Sequence, residues 1–219
     1  MAPTCSCLQC RQRSAPPPAP AWPSCAEHPC GARCAHADRP PLRNRAAPGR
    51  ARRGLATRLE ARGHDLSDQL WSARLLLDEP EEVRAAHADF FAVGAEVAIT
   101  ASYQVSFAGL AARGVDRAGT ERLLRLSVTL AREAAEAAGD ERWVAASVGP
   151  YGAALEGGQE YVGDYDLDGA GLRAWHRPRL AVLAEAGADL LAVETVPSLA
   201  EVEAVLAEVA DLGCPAGCR

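Results

Sequence analysis

The chain has 219 residues, 48% hydrophobic and 24% charged, with a net charge of −6. That length is enough for one sizeable core or two small ones, and the balance is ordinary for a globular protein. No run of about 18 apolar residues exists to form a transmembrane helix, and Met1 to Ser14 lacks the apolar stretch of a secretory signal, so a cytoplasmic location is expected. Residues 1–60 hold ten Arg against Glu27, Asp38 and Glu60, a balance of +7, which leaves −13 for the remainder. A basic arm can mark a nucleic-acid partner. Here every one of the 23 basic residues is Arg, the expected output of GC-rich codons, so no nucleic acid and no membrane is expected as a partner.

Residues 1–53 have no hydrophobic period and are rich in Pro and Arg, as in APPPAPAWP. Such a segment cannot bury enough apolar surface to offset chain entropy and is expected to be a disordered arm, out of frame or non-native. Six of the eight cysteines lie in it: Cys5, Cys7, Cys10, Cys25, Cys30 and Cys34. Cys7 and Cys10, with Cys30, Cys34, His28 and His36, could complete a zinc site. Their spacing is irregular and no apolar residues surround them, so composition is the preferred explanation.

From Gly54 the pattern changes. Leu66, Leu70, Trp71 and Leu75 predict a helix over Leu66 to Leu77. Pro80 opens the next helix, with Val83, Ala86, His87, Phe90 and Phe91 on one face and Gly94 closing it. His87 on that face reads as a packed residue rather than a base. Glu96 to Thr100 is a buried strand. Ala118 to Ala138 is a helix with Leu123, Leu124, Val128 and Ala131 inward. Trp143 to Gly149 is a second strand, Leu172 to Ala186 a helix, and Ala188 to Glu194 a third strand. Ser198 N-caps a last helix that carries Glu201 at the capping-box position.

Three near-continuous apolar strands alternating with long helices predict parallel β/α units. No phosphate-binding glycine motif follows any strand. The natural architecture is a (β/α)8 barrel, which needs about 250 residues. The fold class expected is therefore α/β, a partial TIM barrel of roughly the N-terminal half over residues 54–219. Chemistry in such a fold sits where strands end. Three ends are visible: Thr100 to Gln104, Ser147 to Tyr151, and Glu194 to Ser198. Glu194 closes an apolar strand; a carboxylate there binds a substrate ammonium group or pairs locally, and both readings stay open.

Four segments carry a resemblance: GLATRLEARGHDLSDQLWSARLL, AEVAITASYQVSF, WVAASVGPYGA, and WHRPRLAVLAEAGADLLAVETVPSLAEVEAVL. In this order they resemble the opening segment, second strand, SxGPYGA turn and E-T-x-P-S turn of the homocysteine S-methyltransferases. The resemblance implies a TIM barrel that methylates homocysteine to methionine, with S-methylmethionine or S-adenosylmethionine as donor. It implies a zinc ion held by three cysteines, which turns the homocysteine thiol into a bound thiolate. By position, Glu194 would hold the substrate amino group and Gly54 would offer backbone N–H to its carboxylate. Thr100 and Gln104 would line the pocket mouth. His176 matches a helix position that is structural in the family.

The departures are specific. The family's D-G-G is here Arg52-Arg53-Gly54, and the zinc cysteines have no counterpart, since Cys214 and Cys218 match them neither by position nor by context. No catalytic residue and no metal ligand is therefore assigned. Cys214 to Arg219 stands where the family continues with a strand like V-P-x-W-L-S, and a one-base shift of codons for those six residues reads in that way. A change of reading frame is expected there and near Gly54. Three readings follow: a homocysteine S-methyltransferase-like protein without turnover in this chain, a non-catalytic barrel fragment, and a basic zinc-binding arm. Open barrel edges would favour self-association.

Overall fold

The computed structural model describes residues 54–218 apart from 69, 140–141, 156–158 and 214–215; the arm expected over 1–53, with its cysteines and histidines, lies outside them. Helix starts follow local chemistry. A short helix α1 (Leu55–Ala61) and α2 (Trp71–Asp78) precede α3 (Pro80–Ala92), which has Pro80 in its first turn with Glu81 and Glu82 beside it. The first strand, β1 (Val97–Ile99), follows. Ser106 caps α4 (Phe107–Ala111), and Asp116 caps α5 (Arg117–Ala137) by accepting Gly119 N at 2.7 Å. After β2 (Trp143–Val148), Asp168 caps α6 (Gly169–Glu185) through Gly171 N at 2.8 Å. Next come β3 (Leu190–Val193), α7 (Leu199–Leu212) and β4 (Ala216–Cys218). Gly213 ends α7 in the left-handed conformation, φ 61°.

The four strands are all parallel and lie in chain order β1-β2-β3-β4. Ala98 pairs with Val144, Ala146 with Leu191, and Ala192 with Gly217. Parallel strands covered by crossover helices need apolar side chains on both faces, which β2 satisfies with Val144 through Val148 all buried. The core joins β2 to α5 through Leu123, Leu124, Val128 and Ala131, and α3 adds Val83, Ala86 and Phe91. Fully buried leucines such as Leu124, Leu180 and Leu191 contribute about 2 kcal/mol each. At the amino ends of the strands, the buried Asp189 carboxylate accepts Val144 N at 2.7 Å and Arg132 Nη2 at 2.9 Å. Between the two covering helices, the buried Glu208 accepts Arg173 Nε at 2.6 Å and Arg177 Nε at 2.8 Å, clasping α6 to α7.

Several expectations are corrected. The helix expected from Leu66 starts at Trp71, because Asp65 accepts Ser67 N at 2.9 Å and Asp68 accepts Leu70 N at 2.7 Å; these Asx turns replace the helical pattern. The described sheet has four strands rather than three: the segment read as out of frame places Ala216–Cys218 in parallel register with β3. Strand pairing uses main-chain groups, so the unfamiliar side chains do not prevent it. The capping box at Ser198 does not form. Ser198 makes no side-chain cap bond, because Glu201 is turned inward to other partners.

Candidate functional site at the carboxyl ends of the strands

The strand ends converge because the strands are parallel and in register. Thr100 follows β1, and its N–H donates to Ala145 O at 3.0 Å. Its buried hydroxyl accepts Ser147 N at 3.0 Å and lies 2.7 Å from Ser102 Oγ. Ser102 in turn donates to Ser147 O at 2.7 Å. Ser147, in β2, thus has both main-chain groups held from the β1 side and its side chain left to face β3. Its hydroxyl donates to Glu194 Oε1 at 2.5 Å. A charge-assisted bond of this kind is among the stronger ones available to a carboxylate. The result is a thread of polar side chains, Ser102–Thr100–Ser147–Glu194, across three successive strand ends. Glu194 is only partly buried.

Backbone shape fixes the same rim. A Cβ at Gly149 would lie 2.6 Å from Tyr103 O and 2.7 Å from the Tyr103 ring, so only glycine lets the loops after β1 and β2 touch. Thr195, next to Glu194, has φ 56°, a strained left-handed conformation rare for a β-branched residue. Tyr103 Oη donates to Glu160 Oε2 at 3.3 Å. Burial, and then the Glu160 charge, raise the Tyr103 phenol well above its usual range, while Thr195 opposes the shift. Tyr103 is therefore a neutral donor near neutral pH.

A second polar group lies beneath. Glu201 Oε1 accepts the N–H of Tyr151 and sits 2.8 Å from His176 Nε2, with both side chains fully buried. Arg179, 1% exposed, donates through Nη2 to Tyr103 O at 3.3 Å, and its guanidinium lies 5.0 Å from the Trp175 ring centre. Burial lowers the Arg179 pKa to about 10, with Glu201 opposing, so the group stays charged at neutral pH. Burial also lowers the His176 pKa, against the pull of Glu201. Sequence reasoning placed His176 as structural and Glu201 as a cap. Neither residue type signals on its own that it serves a loop far away in the chain.

Of the four expected substrate contacts, Glu194 and Thr100 meet in the thread through Ser147. Gln104 lies half-buried in the loop after β1, one residue past Tyr103. Gly54 heads α1, which packs on α3, and its carbonyl accepts Arg58 N at 3.2 Å. Ser147 and Ser102 fall within the strand ends singled out in the sequence, but their bonds to Glu194 and to the Ser147 carbonyl were not anticipated. Among the described residues no group of three His, Cys, Asp or Glu side chains could hold a metal ion. The described residues therefore do not fit the three-cysteine zinc site, and no step is derived through zinc.

The family model of homocysteine S-methyltransferase matches residues 54–218. The chain is 52% identical over 157 residues to a homocysteine S-methyltransferase of Escherichia coli (strain K12), covering 69% of this chain and 51% of that protein. It is 48% identical over 165 residues to one of Bacillus subtilis (strain 168), with the same coverage. The crystal structure of the homocysteine methyltransferase MmuM from Escherichia coli, in its metallated form, matches with a TM-score of 0.70 at 48% identity, over 74% of this chain and 59% of that one. This chain thus spans about half the length of the curated relatives it matches, and its parallel β/α units correspond to part of a TIM-barrel-type fold. With the family model, the identity to named relatives and the fold in agreement, the chain belongs to the homocysteine S-methyltransferase family.

Proposed function

We propose that this chain provides the amino-acid end of a site for methyl transfer to homocysteine, with S-methylmethionine or S-adenosylmethionine as donor and methionine as product. The observation that carries the reading is Glu194: a carboxylate at the carboxyl end of a parallel strand, oriented by Ser147 at 2.5 Å. A carboxylate fixed in this way meets a substrate ammonium group without reorganising, which is what positions the far end of the amino acid. Gly54, through its backbone N–H, serves the substrate carboxylate in this reading, and Thr100 and Gln104 shape the pocket mouth.

In the reaction the homocysteine sulfur, having lost its proton, attacks the methyl carbon of a sulfonium. The new S–C bond forms as the old one breaks, and the donor leaves as a neutral thioether. The chain's own residues bind and orient. The three zinc cysteines that the resemblance implies have no counterpart by position in this sequence, and on that ground the 219-residue polypeptide is expected to bind homocysteine without turning it over.

Calorimetric titration of that polypeptide with L-homocysteine under reducing conditions tests the reading. Loss of a charge-assisted contact is worth about 1.5–3 kcal/mol, so Glu194→Gln is expected to weaken binding roughly tenfold to a hundredfold. Equal affinity of the variant would refute the role of Glu194. Zinc-dependent methionine formation by this polypeptide would refute the absence of turnover.

A further inference from the structure

We propose that Glu201, His176 and Arg179 form a buried positioning unit that holds the loops after β1 and β2 together and so sets the shape of the amino-acid pocket. The pocket itself rests on the reading of Glu194 above; the holding of the loops does not.

The three side chains are between 0% and 1% exposed. Polar and charged groups buried this deeply rarely add net stability compared with apolar packing, so what they bond to is informative. Two of the three bond to the rim, and the third holds one of those two. Glu201 accepts the N–H of Tyr151, in the loop after β2, and is held from the other side by His176 Nε2 at 2.8 Å. Arg179 donates to the carbonyl of Tyr103, in the loop after β1. That carbonyl is also where Gly149 presses, with no room for a Cβ. Two loops that touch at Tyr103 and Gly149 are thus each tied by one buried side chain.

The rings complete the unit. Trp175 lies edge-on to Tyr151 at 5.2 Å, and Tyr151 edge-on to Tyr165 at 5.3 Å, while Arg179 covers the Trp175 ring. Glu201 stands in the first turn of α7, directly after the loop that carries Glu194. The unit therefore links all three strand ends that bear candidate site residues. The other acidic anchors do not: Glu208 joins α6 to α7, and Asp189 joins Arg132 to the amino end of β2. Neither reaches the rim. Glu201 and Arg179 are positioning residues, since they act on substrate only through Tyr151, Tyr103 and the loop of Glu194.

Amide hydrogen exchange on the 219-residue chain tests the holding. In the wild type, the Tyr151 N–H is expected to exchange at least about tenfold more slowly than the N–H of exposed Leu199, at the uncapped first position of α7. Equal rates would overturn the proposal without any variant. In Glu201→Ala, Tyr151 exchange is expected to rise at least about tenfold while residues 144–147 keep their rates. Glu201→Gln, which keeps an oxygen for the N–H, is expected to stay near the wild type. An unchanged Tyr151 rate in Glu201→Ala, or a uniform rise through β2, would overturn it. If that variant does not fold, Arg179→Met takes its place, with faster exchange at Gln104 but not in β2 as the expected result and no change as the overturning one.

Titration with L-homocysteine then tests the consequence for the pocket. Glu201→Ala is expected to bind about tenfold more weakly, and Glu201→Gln within about threefold of wild type. A loosened Tyr151 with wild-type affinity would overturn the role in the pocket. Failure of the wild type itself to bind homocysteine would sink the reading of Glu194 alone, because the exchange measurements decide the holding of the loops without ligand.

Discussion

Replacing His87 with leucine should remove an acid-sensitive point from the core. His87 is 1% exposed on the inner face of α3, and its Nε2 has no hydrogen-bond partner. Burial lowers its pKa from 6.5 to about 4. The unfolded chain therefore binds a proton that the folded chain resists. The stability associated with the neutral imidazole is fully present above about pH 6.5 and is lost as pH falls toward and through about 4. A shift of this size corresponds to a loss of about 2 kcal/mol by about pH 5 and about 3 kcal/mol by about pH 4. Leucine has similar bulk, no unpaired nitrogen and no proton to bind. Urea unfolding of wild type and His87→Leu at several values between about pH 7 and pH 5 measures the effect. The gap in favour of the variant should widen by about 2 kcal/mol over that range. His176, whose pKa burial also lowers, contributes its own slope to both proteins and cancels in the difference. A gap that stays constant would refute the reasoning, and so would a directly titrated His87 pKa near 6.5.

Gly149→Ala should drive the loops after β1 and β2 apart, since the new Cβ meets the Tyr103 carbonyl at 2.6 Å rather than a movable side-chain tip. Overpacking of this kind costs about 1–3 kcal/mol, read by urea unfolding, and homocysteine affinity should fall about tenfold, read by titration. Asp189→Ala removes the buried acceptor of Val144 N and the partner of Arg132. The buried bond should dominate because Arg132 is partly exposed, and a loss of about 2–4 kcal/mol in unfolding free energy is expected. Its homocysteine affinity should stay within about twofold of wild type, because Asp189 lies at the opposite ends of the strands.

The strands were legible because a parallel sheet covered on both faces demands apolar runs, and Trp143 to Gly149 and Ala188 to Glu194 are such runs; the observed strands lie inside them. The long helices were legible from period and punctuation. Pro80 was read as the start of one, whereas the Asp116 and Asp168 caps were not read, so the other two helices begin at Arg117 and Gly169, ahead of the expected Ala118 and Leu172. Short elements were not: α1 and α4 have 7 and 5 residues, too few for a period to declare itself. The capping box failed for a tertiary reason. Serine followed by glutamate three residues later satisfies the local rule, but Tyr151 N and His176 compete for the same carboxylate across the fold. In the site, Glu194 was visible from its place at the end of a strand. Ser147 was visible as a strand-end residue, but its pairing with Glu194 was not, because the register that brings the two ends together is set by the sheet and not by local sequence.

Sheet order has a consequence for how such proteins can be recombined. Strands that lie side by side in chain order add one loop to the rim per unit, each beside the loop of the unit before. Thr100, Ser147 and Glu194 come from three consecutive units and are bonded in that order. A chimera that crosses over within α6 would therefore exchange one unbroken arc of the rim for another. At the rim of the described sheet, the parental halves would meet at Ser147 with Glu194 and Tyr151 with Glu201, joined by His176 with Glu201 or Arg179 with Tyr103 according to where α6 is cut, and compatibility between relatives should be decided there rather than by overall identity.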